Sequence, residues 1–187
     1  MLKPALVLLL FVAAPALARP LSGPELARID SAVAQALAET AVPSASIAVV
    51  RDGKIVLARA YGTANAGLPA DPDLPYQVAS ISKQFTAMAL LLLEDEGKLS
   101  LDDRVSDWVP GIGGGDRITL RQLLNHTSGL RDYWPQDFSF EAMSRPTSPQ
   151  AILDGWARQP PDFEPGSQAQ YSNTGYVVAG LVAEKAS

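Results

Sequence analysis

The sequence predicts an α/β fold (α+β sandwich type) in which an N-terminal helix and a β-hairpin precede a mostly helical region. Three observations carry this. A capping box at Ser22 stands ahead of apolar residues at helical spacing. Two β-leaning runs flank Asp52-Gly53. Beyond residue 80 the apolar residues come in helix-length runs, and no later segment reads as a good strand.

The elements follow in order. Ser22 and Glu25 are spaced as reciprocal capping partners, and Leu26, Ile29, Val33 and Leu37 recur on one helical face, so the first helix ends near Val42-Pro43. Residues 46–50 and 54–60 are the two strands, joined through Arg51-Asp52-Gly53, because Asp-Gly suits the paired positive φ angles of a tight hairpin turn. Residues 62–77, rich in Gly, Pro, Ala and Asp, form the loop leading to Ser80. Between residues 85 and 93 only Thr86 is polar, which predicts a helix buried on all sides, with Gly97 as its C-cap. Residues 102–109 and 119–125 read as short helices. Asp102 and Asp103 are helix-start charges, and Thr119 with Gln122 gives a second capping box. The glycine-rich residues 111–115 lack the Gly-Lys-Ser/Thr ending of a phosphate loop and read as linker. Residues 131–170 read as irregular, and another apolar helix begins at Tyr176. An isolated two-stranded hairpin is marginal in water, so this one calls for more strands than the sequence supplies.

Composition narrows the function. With 187 residues, 47% hydrophobic and 19% charged, the chain has ordinary globular composition and length for one domain with a real core. Lys3, the apolar run at residues 5–14 and Ala16-Leu17-Ala18 match a secretory leader, so residues 1–18 are expected to be a signal peptide cleaved after Ala18. That implies a periplasmic or secreted protein with no integral membrane span after cleavage. The absence of cysteine excludes a disulfide scaffold, a thiol nucleophile and a lipid-anchored cysteine. A single histidine, His126, excludes a zinc site of several imidazoles and thiolates. Loss of Lys3 leaves 14 basic and 20 acidic residues with no basic run, so no nucleic-acid partner is expected.

The chemistry centres on Ser80 and Lys83. Three residues is most of a helical turn, so the hydroxyl and the amine share a face. Serine is a weak nucleophile until a base takes its proton, and a nearby lysine can be that base or help to set it up. On the pair alone, an N-cap serine followed by a solvated lysine is the favoured reading, since serine is a preferred cap. Downstream, Tyr171-Ser172-Asn173 places a phenol and an amide on the same side of an extended segment. A phenolate beside a lysine is favoured electrostatically and can shuttle the serine proton, while Asn173 offers one donor and one acceptor end to an amide-like substrate. His126 is the sole possible base for a Ser–His–Asp device, but at the end of a short helix it reads as a capping or packing residue. Tyr133 and Trp134 fit a cleft wall or packing anchors, and are not counted in the site.

Four segments together carry a resemblance: the hairpin at residues 47–61, "SISKQFTAMALLLLEDEGKLSLDD", "ITLRQLLNHTSGL" and "PGSQAQYSNTGYVVAGLVAE". In that order they resemble the serine β-lactamase and penicillin-binding-protein superfamily, in the branch of class C β-lactamases, D-alanyl-D-alanine carboxypeptidases and related esterases. The resemblance implies a β-lactamase-like fold, with residues 19–187 forming the hydrolase domain. It implies Ser80 as acylated nucleophile and Lys83 as its electrostatic and proton-transfer partner. Tyr171 is then general acid/base, and Asn173 contacts both substrate and Lys83. Neither a metal nor an organic cofactor is implied, and the substrate is a β-lactam, an ester or a D-Ala-D-Ala-type peptide of peptidoglycan.

The family's third motif, Lys-Thr-Gly or His-x-Gly on a strand lining the site, is absent here; His126-Thr127-Ser128-Gly129 precedes Tyr171 and has one residue too many. In the family that strand supplies the second oxyanion-hole N–H, and loss of one such donor typically costs about 3 kcal/mol of transition-state stabilisation. The domain is therefore expected to be incomplete at its C-terminal end. The alternative function is a catalytically inactive remnant that at most binds cell-wall peptide or a protein partner.

Overall fold

The capping box at Ser22 forms: its hydroxyl accepts the Glu25 N–H at 3.4 Å while the Glu25 carboxylate accepts the Ser22 N–H at 2.7 Å. It opens helix α1, Gly23–Thr40, which stops where Ala41 turns left-handed (φ 56°). The computed structural model describes residues 19–134 and 144–187, so the leader expected at residues 1–18 lies outside the described residues. The chain divides into two units, one ending at Gln77 and the other spanning Val78–Ser187.

In the first unit, strands β1 (Ser44–Arg51) and β2 (Lys54–Gly62) pair antiparallel. Asp52 and Gly53 both have positive φ, 50° and 72°, as an Asp-Gly hairpin turn demands. The register runs from Ser44↔Gly62 to Val49↔Leu57 and then jumps to Val50↔Ile55, a bulge that places one extra residue on β2. Helix α1 lies against the hairpin. Asp30 accepts hydrogen bonds from Arg59 and Tyr61, both at 2.7 Å, and Glu25 pairs with Arg51. Gly62 can only be glycine: its φ is 81°, and a Cβ would sit 2.2 Å from the Pro43 carbonyl oxygen. Among the described residues the sheet has two strands.

The second unit is helical. A 3₁₀ turn, Ala79–Ile81, leads into α2 (Ser82–Asp95); α3 is Val105–Trp108, α4 is Leu120–Leu124, and α5 is Pro149–Ile152, which runs on into a π-helical turn over Leu153–Ala157. The last helix, α6, is Asn173–Ala186. Its Val178, Ala179 and Val182 are buried against Leu90 and Leu93 of α2, Leu120 and Leu123 of α4, and Leu153 and Ala157 of the π turn. Gly97 (φ 69°) closes α2, with the Lys98 N–H returning to the Leu93 carbonyl at 2.9 Å.

Five sequence expectations change here, the first being that α6 starts at Asn173, behind its Ser172 cap, rather than at Tyr176. Helix α2 is not buried on all sides: Leu90 and Leu93 are, whereas Phe85, Met88 and Leu92 are 73%, 54% and 54% exposed. Within this unit α6 packs on one side of α2, and one neighbour can cover only one stripe. Helix α3 starts at Val105 rather than residue 102, because the Leu101 and Asp103 carbonyls accept the Arg121 and Leu120 N–H groups and are not free for a helix. Asp103 accordingly accepts the Ser100 N–H and the Trp108 indole N–H, while Asp102 pairs with Arg121. The glycines at 111–115 are packed, not loose linker: the Gly113 N–H donates to the Ala157 carbonyl at 2.9 Å. Finally, α5 and its π turn interrupt the stretch read as irregular, with Ser148 as N-cap and Pro149 opening the first turn.

Two glycine substitutions separate packing from propensity. At Gly113 a Cβ would meet the Gln159 carbonyl oxygen at 1.9 Å, whereas at Gly180, inside α6, nothing lies within 4 Å. Gly113→Ala is expected to lower stability by about 3 kcal/mol, the upper range for overpacking, and Gly180→Ala to raise it by about 1 kcal/mol. Urea denaturation of the two variants reads both signs.

Candidate active site

The site lies wholly within the second unit. Ala79 adopts a left-handed conformation (φ 45°), a strained one for alanine, and this kink starts the 3₁₀ turn that carries Ser80. Lys83 follows in the first turn of α2, and its Nζ donates to the Ser80 Oγ at 3.3 Å. The same ammonium donates to the Asn173 Oδ1 at 2.7 Å. From the other side, the Tyr171 Oη lies 2.6 Å from the Ser80 Oγ, with either oxygen able to donate. Thus the structure brings Ser80, Lys83, Tyr171 and Asn173 together across some ninety residues of chain.

Tyr171 and Asn173 are positioned by the start of α6. Ser172, buried, is its N-cap and accepts the Gly175 N–H at 3.1 Å. Tyr171 therefore sits just before the helix and Asn173 at its first residue. His126 clamps this segment. It follows α4 in a left-handed conformation (φ 62°), its carbonyl accepts the Gln170 N–H at 2.9 Å, and its Nδ1 accepts the Ser172 N–H at 3.2 Å. An acceptor Nδ1 puts the neutral ring's proton on Nε2. The ring also packs on Tyr171 and Tyr176, with centroids 4.5 Å and 5.3 Å away. His126 thus caps and packs, as its place in the sequence suggested, and its Nδ1 is engaged by backbone rather than by a serine hydroxyl.

Three further residues belong to the site without having been assigned to it from sequence. Asp132 accepts hydrogen bonds from the Asn173 N–H, the Asn173 Nδ2 and the Thr174 N–H. No spacing rule links residues 132 and 173, so only the tertiary structure reveals it. Tyr133 and Trp134 line a cavity of about 420 Å³ together with Ser80, Lys83, Tyr171 and Asn173. Two adjacent loop aromatics were the available signal, and they fitted packing equally well. Tyr133 is anchored by its N–H, which donates to the Thr174 Oγ1 at 2.9 Å, and by edge-on contact with Trp156.

The charges compete over Tyr171. Burial pushes its phenol up, but hydrogen bonds from Lys83 and Ser80 and the Lys83 charge outweigh this, and the net shift is downward although Asp132 opposes it. Lys83 also lies over the Tyr171 ring, 4.8 Å from its centroid. Burial, then the Lys83 charge, hold His126 below its ordinary value. A hydroxyl is thus in contact with both a cation and an unusually acidic phenol, at the mouth of a cavity.

The family model described as Beta-lactamase matches residues 29–187. Penicillin-binding protein 4* of Bacillus subtilis (strain 168) is 41% identical over 114 residues, which cover 60% of this chain and 25% of that protein. Protein flp of Staphylococcus aureus (strain NCTC 8325 / PS 47) is 33% identical over 164 residues, covering 83% of this chain and 32% of that protein. Among solved structures, the D-amino acid amidase from Ochrobactrum anthropi SV3, complexed with L-phenylalanine, superposes with a TM-score of 0.75 at 29% identity, over 86% of this chain and 44% of that one. The chain spans 25% and 32% of the length of these two curated relatives. With the matched region running from within α1 through the whole second unit, the chain belongs to the β-lactamase family.

Proposed function

We propose that residues 19–187 carry the acylating machinery of an exported serine hydrolase that acts through an acyl-enzyme on Ser80. The observation that supports this most is the pair of contacts to one hydroxyl, Tyr171 Oη at 2.6 Å and Lys83 Nζ at 3.3 Å. Nucleophile and base within hydrogen-bond reach, with the base held by a third group, is the general arrangement for an activated serine. In this reading the Tyr171 phenolate takes the Ser80 proton as the Oγ–C bond forms on the substrate carbonyl. Tyr171 then returns that proton to the leaving nitrogen or oxygen, leaving an ester on Ser80. Water attacks the ester, Tyr171 accepts the water proton, and the serine regains it as the acid departs. Asn173 has one Nδ2 hydrogen toward Asp132, and the other is available to a substrate carbonyl. The substrate is a β-lactam, an ester or a D-Ala-D-Ala-type peptide; likeness to a D-amino acid amidase supports an amide carbonyl. The open apolar side of α2 favours a second reading, a non-catalytic chain that binds cell-wall peptide or a partner.

Labelling separates the two readings. Incubated with a fluorophosphonate or a fluorescent penicillin, the wild-type chain is expected to gain one adduct by intact mass, and Ser80→Ala none. Tyr171→Phe is expected to acylate on the order of 10² to 10⁴ times more slowly, the usual loss on removing a general base. A folded wild-type chain that takes no label leaves the binding reading.

The pH dependence has a basic and an acidic feature. The acylation rate should rise with pH through Tyr171 ionisation, with a midpoint below the ordinary tyrosine value of 10.0. Stopped-flow acylation across pH locates it, and a midpoint at or above that value contradicts the proton-transfer role. On the acid side, His126 has a folded pKa below its ordinary 6.5, so the unfolded chain binds its proton first as pH falls. Stability associated with His126 is complete above 6.5 and is lost as pH drops through the folded value, when protonation also removes the acceptor for the Ser172 N–H. Urea midpoints should fall in the window just below 6.5 in wild type and less steeply in His126→Gln.

A further inference from the structure

Among the described residues Asp132 makes three hydrogen bonds, all to the first residues of α6. Its Oδ1 accepts the backbone N–H of Asn173 at 2.9 Å and of Thr174 at 3.3 Å, and its Oδ2 accepts the Asn173 Nδ2 at 3.0 Å. The opposite end of that Asn173 side chain, Oδ1, receives the Lys83 ammonium at 2.7 Å. A side-chain amide has one donor end and one acceptor end, so the two contacts are mutually dependent. A carboxylate can only accept, and it therefore captures the NH₂ and leaves the carbonyl for the cation. Were the amide turned over, two donors would face each other at Lys83 and two acceptors at Asp132.

We propose that Asp132 is a positioning residue: by fixing the orientation of the Asn173 amide it holds Lys83 within reach of Ser80 and Tyr171. Its consequence for catalysis rests on the acyl-enzyme reading above; the orientation itself does not. A simpler role, an acid at a helix N-terminus, accounts for the two backbone contacts but not for the third, which is made to a side chain.

Asp132→Asn distinguishes the roles. Asparagine caps a helix about as well as aspartate, so the backbone contacts persist through the new carbonyl oxygen. The new NH₂ then confronts the Asn173 NH₂. Relief comes when Asn173 turns over, and its NH₂ then repels the Lys83 ammonium. The readout is the ionisation midpoint of Tyr171, taken from phenolate absorbance as the difference from Tyr171→Phe in each background, with no substrate present. Among the described residues, the groups facing Tyr171 are Lys83 and Ser80 from α2 and its leading turn, His126 from the turn after α4, Tyr176 from α6, and Asp132 itself. Loss of the Asp132 charge alone lowers the midpoint, because that charge opposes phenolate formation. Displacement of Lys83 raises it.

The expected result is a raised midpoint in Asp132→Asn, with acylation slowed on the order of 10- to 100-fold, the scale of a misplaced reacting group. A lowered or unchanged midpoint in a cooperatively melting variant overturns the inference. If that variant does not fold, Asp132→Glu decides. It keeps the charge but moves it by one methylene, so a raised midpoint supports positioning and a wild-type midpoint overturns it. The two proposals fail separately. A raised midpoint in a chain whose wild type takes no fluorophosphonate removes the acyl-enzyme reading alone, whereas labelling with an unmoved midpoint removes the positioning role alone.

Discussion

The packing of α2 on α6 is the contact on which the site depends. Ser80 and Lys83 belong to the first of these helices and its leading turn, Tyr171 and Asn173 to the start of the second, and chain connectivity does nothing to bring them together. Leu90 and Leu93 meet Val178, Ala179 and Val182 in a core where most of these side chains have no exposed surface. Interiors at crystal-like density transmit small volume changes, so a loosened core would be felt as a longer Ser80–Tyr171 distance. The start of α6 is pinned a second time. Ser172 and Thr174 are buried polar residues, each with a backbone N–H on its side-chain oxygen.

A single cation then organises the polar atoms. Lys83 serves the Ser80 hydroxyl, the Asn173 carbonyl and, by charge and ring contact, Tyr171. Burial and Asp132 push the phenol up while Lys83 and Ser80 pull it down, and the downward pull prevails. This balance suits a group that must both accept and return a proton, since a base far too weak or far too strong does only one of these well. It also makes the phenol's acidity sensitive to where the ammonium points, which geometry more than composition controls.

Much of this was legible in the sequence, and unequally so. The capping boxes at Ser22 and Thr119, the Asp52-Gly53 turn and the Gly97 stop are local devices whose partners lie within five residues, and all appear in the structure. Ser80, Lys83, Tyr171 and Asn173 stood out by residue type and spacing once read with the flanking segments that carry the family resemblance. Asp132 could not, because its significance exists only once α6 is docked beside residue 132. The start of α3 was misplaced for a similar reason: the carbonyls of Leu101 and Asp103 are claimed by residues 120–121, a pairing that helix propensity does not encode. The run at residues 85–93, apolar but for Thr86, shows the converse. Sequence states what a helix requires around it, and the structure states which part of that requirement this unit meets, namely the stripe facing α6.

The distribution of the core bears on why the site is assembled in a chain spanning 25% to 32% of its two curated relatives. Its buried cluster, from Leu90 to Val182, lies entirely within the second unit, as does every side chain that touches Ser80, Lys83, Tyr171 or Asn173 among the contacts described above. Hydroxyl, amine, phenol and amide are therefore aligned by one self-contained packing arrangement. Alignment is only part of catalysis, however. Activating a nucleophile and stabilising the charge that develops on the attacked carbonyl are separate contributions, and the second commonly weighs as much as the first. The proton-transfer apparatus and the oxyanion apparatus can accordingly be built by different parts of a fold. Labelling by a strong phosphonylating reagent depends chiefly on the former and turnover of an amide on both, so a probe and a peptide substrate test different parts of the proposed acyl-enzyme chemistry.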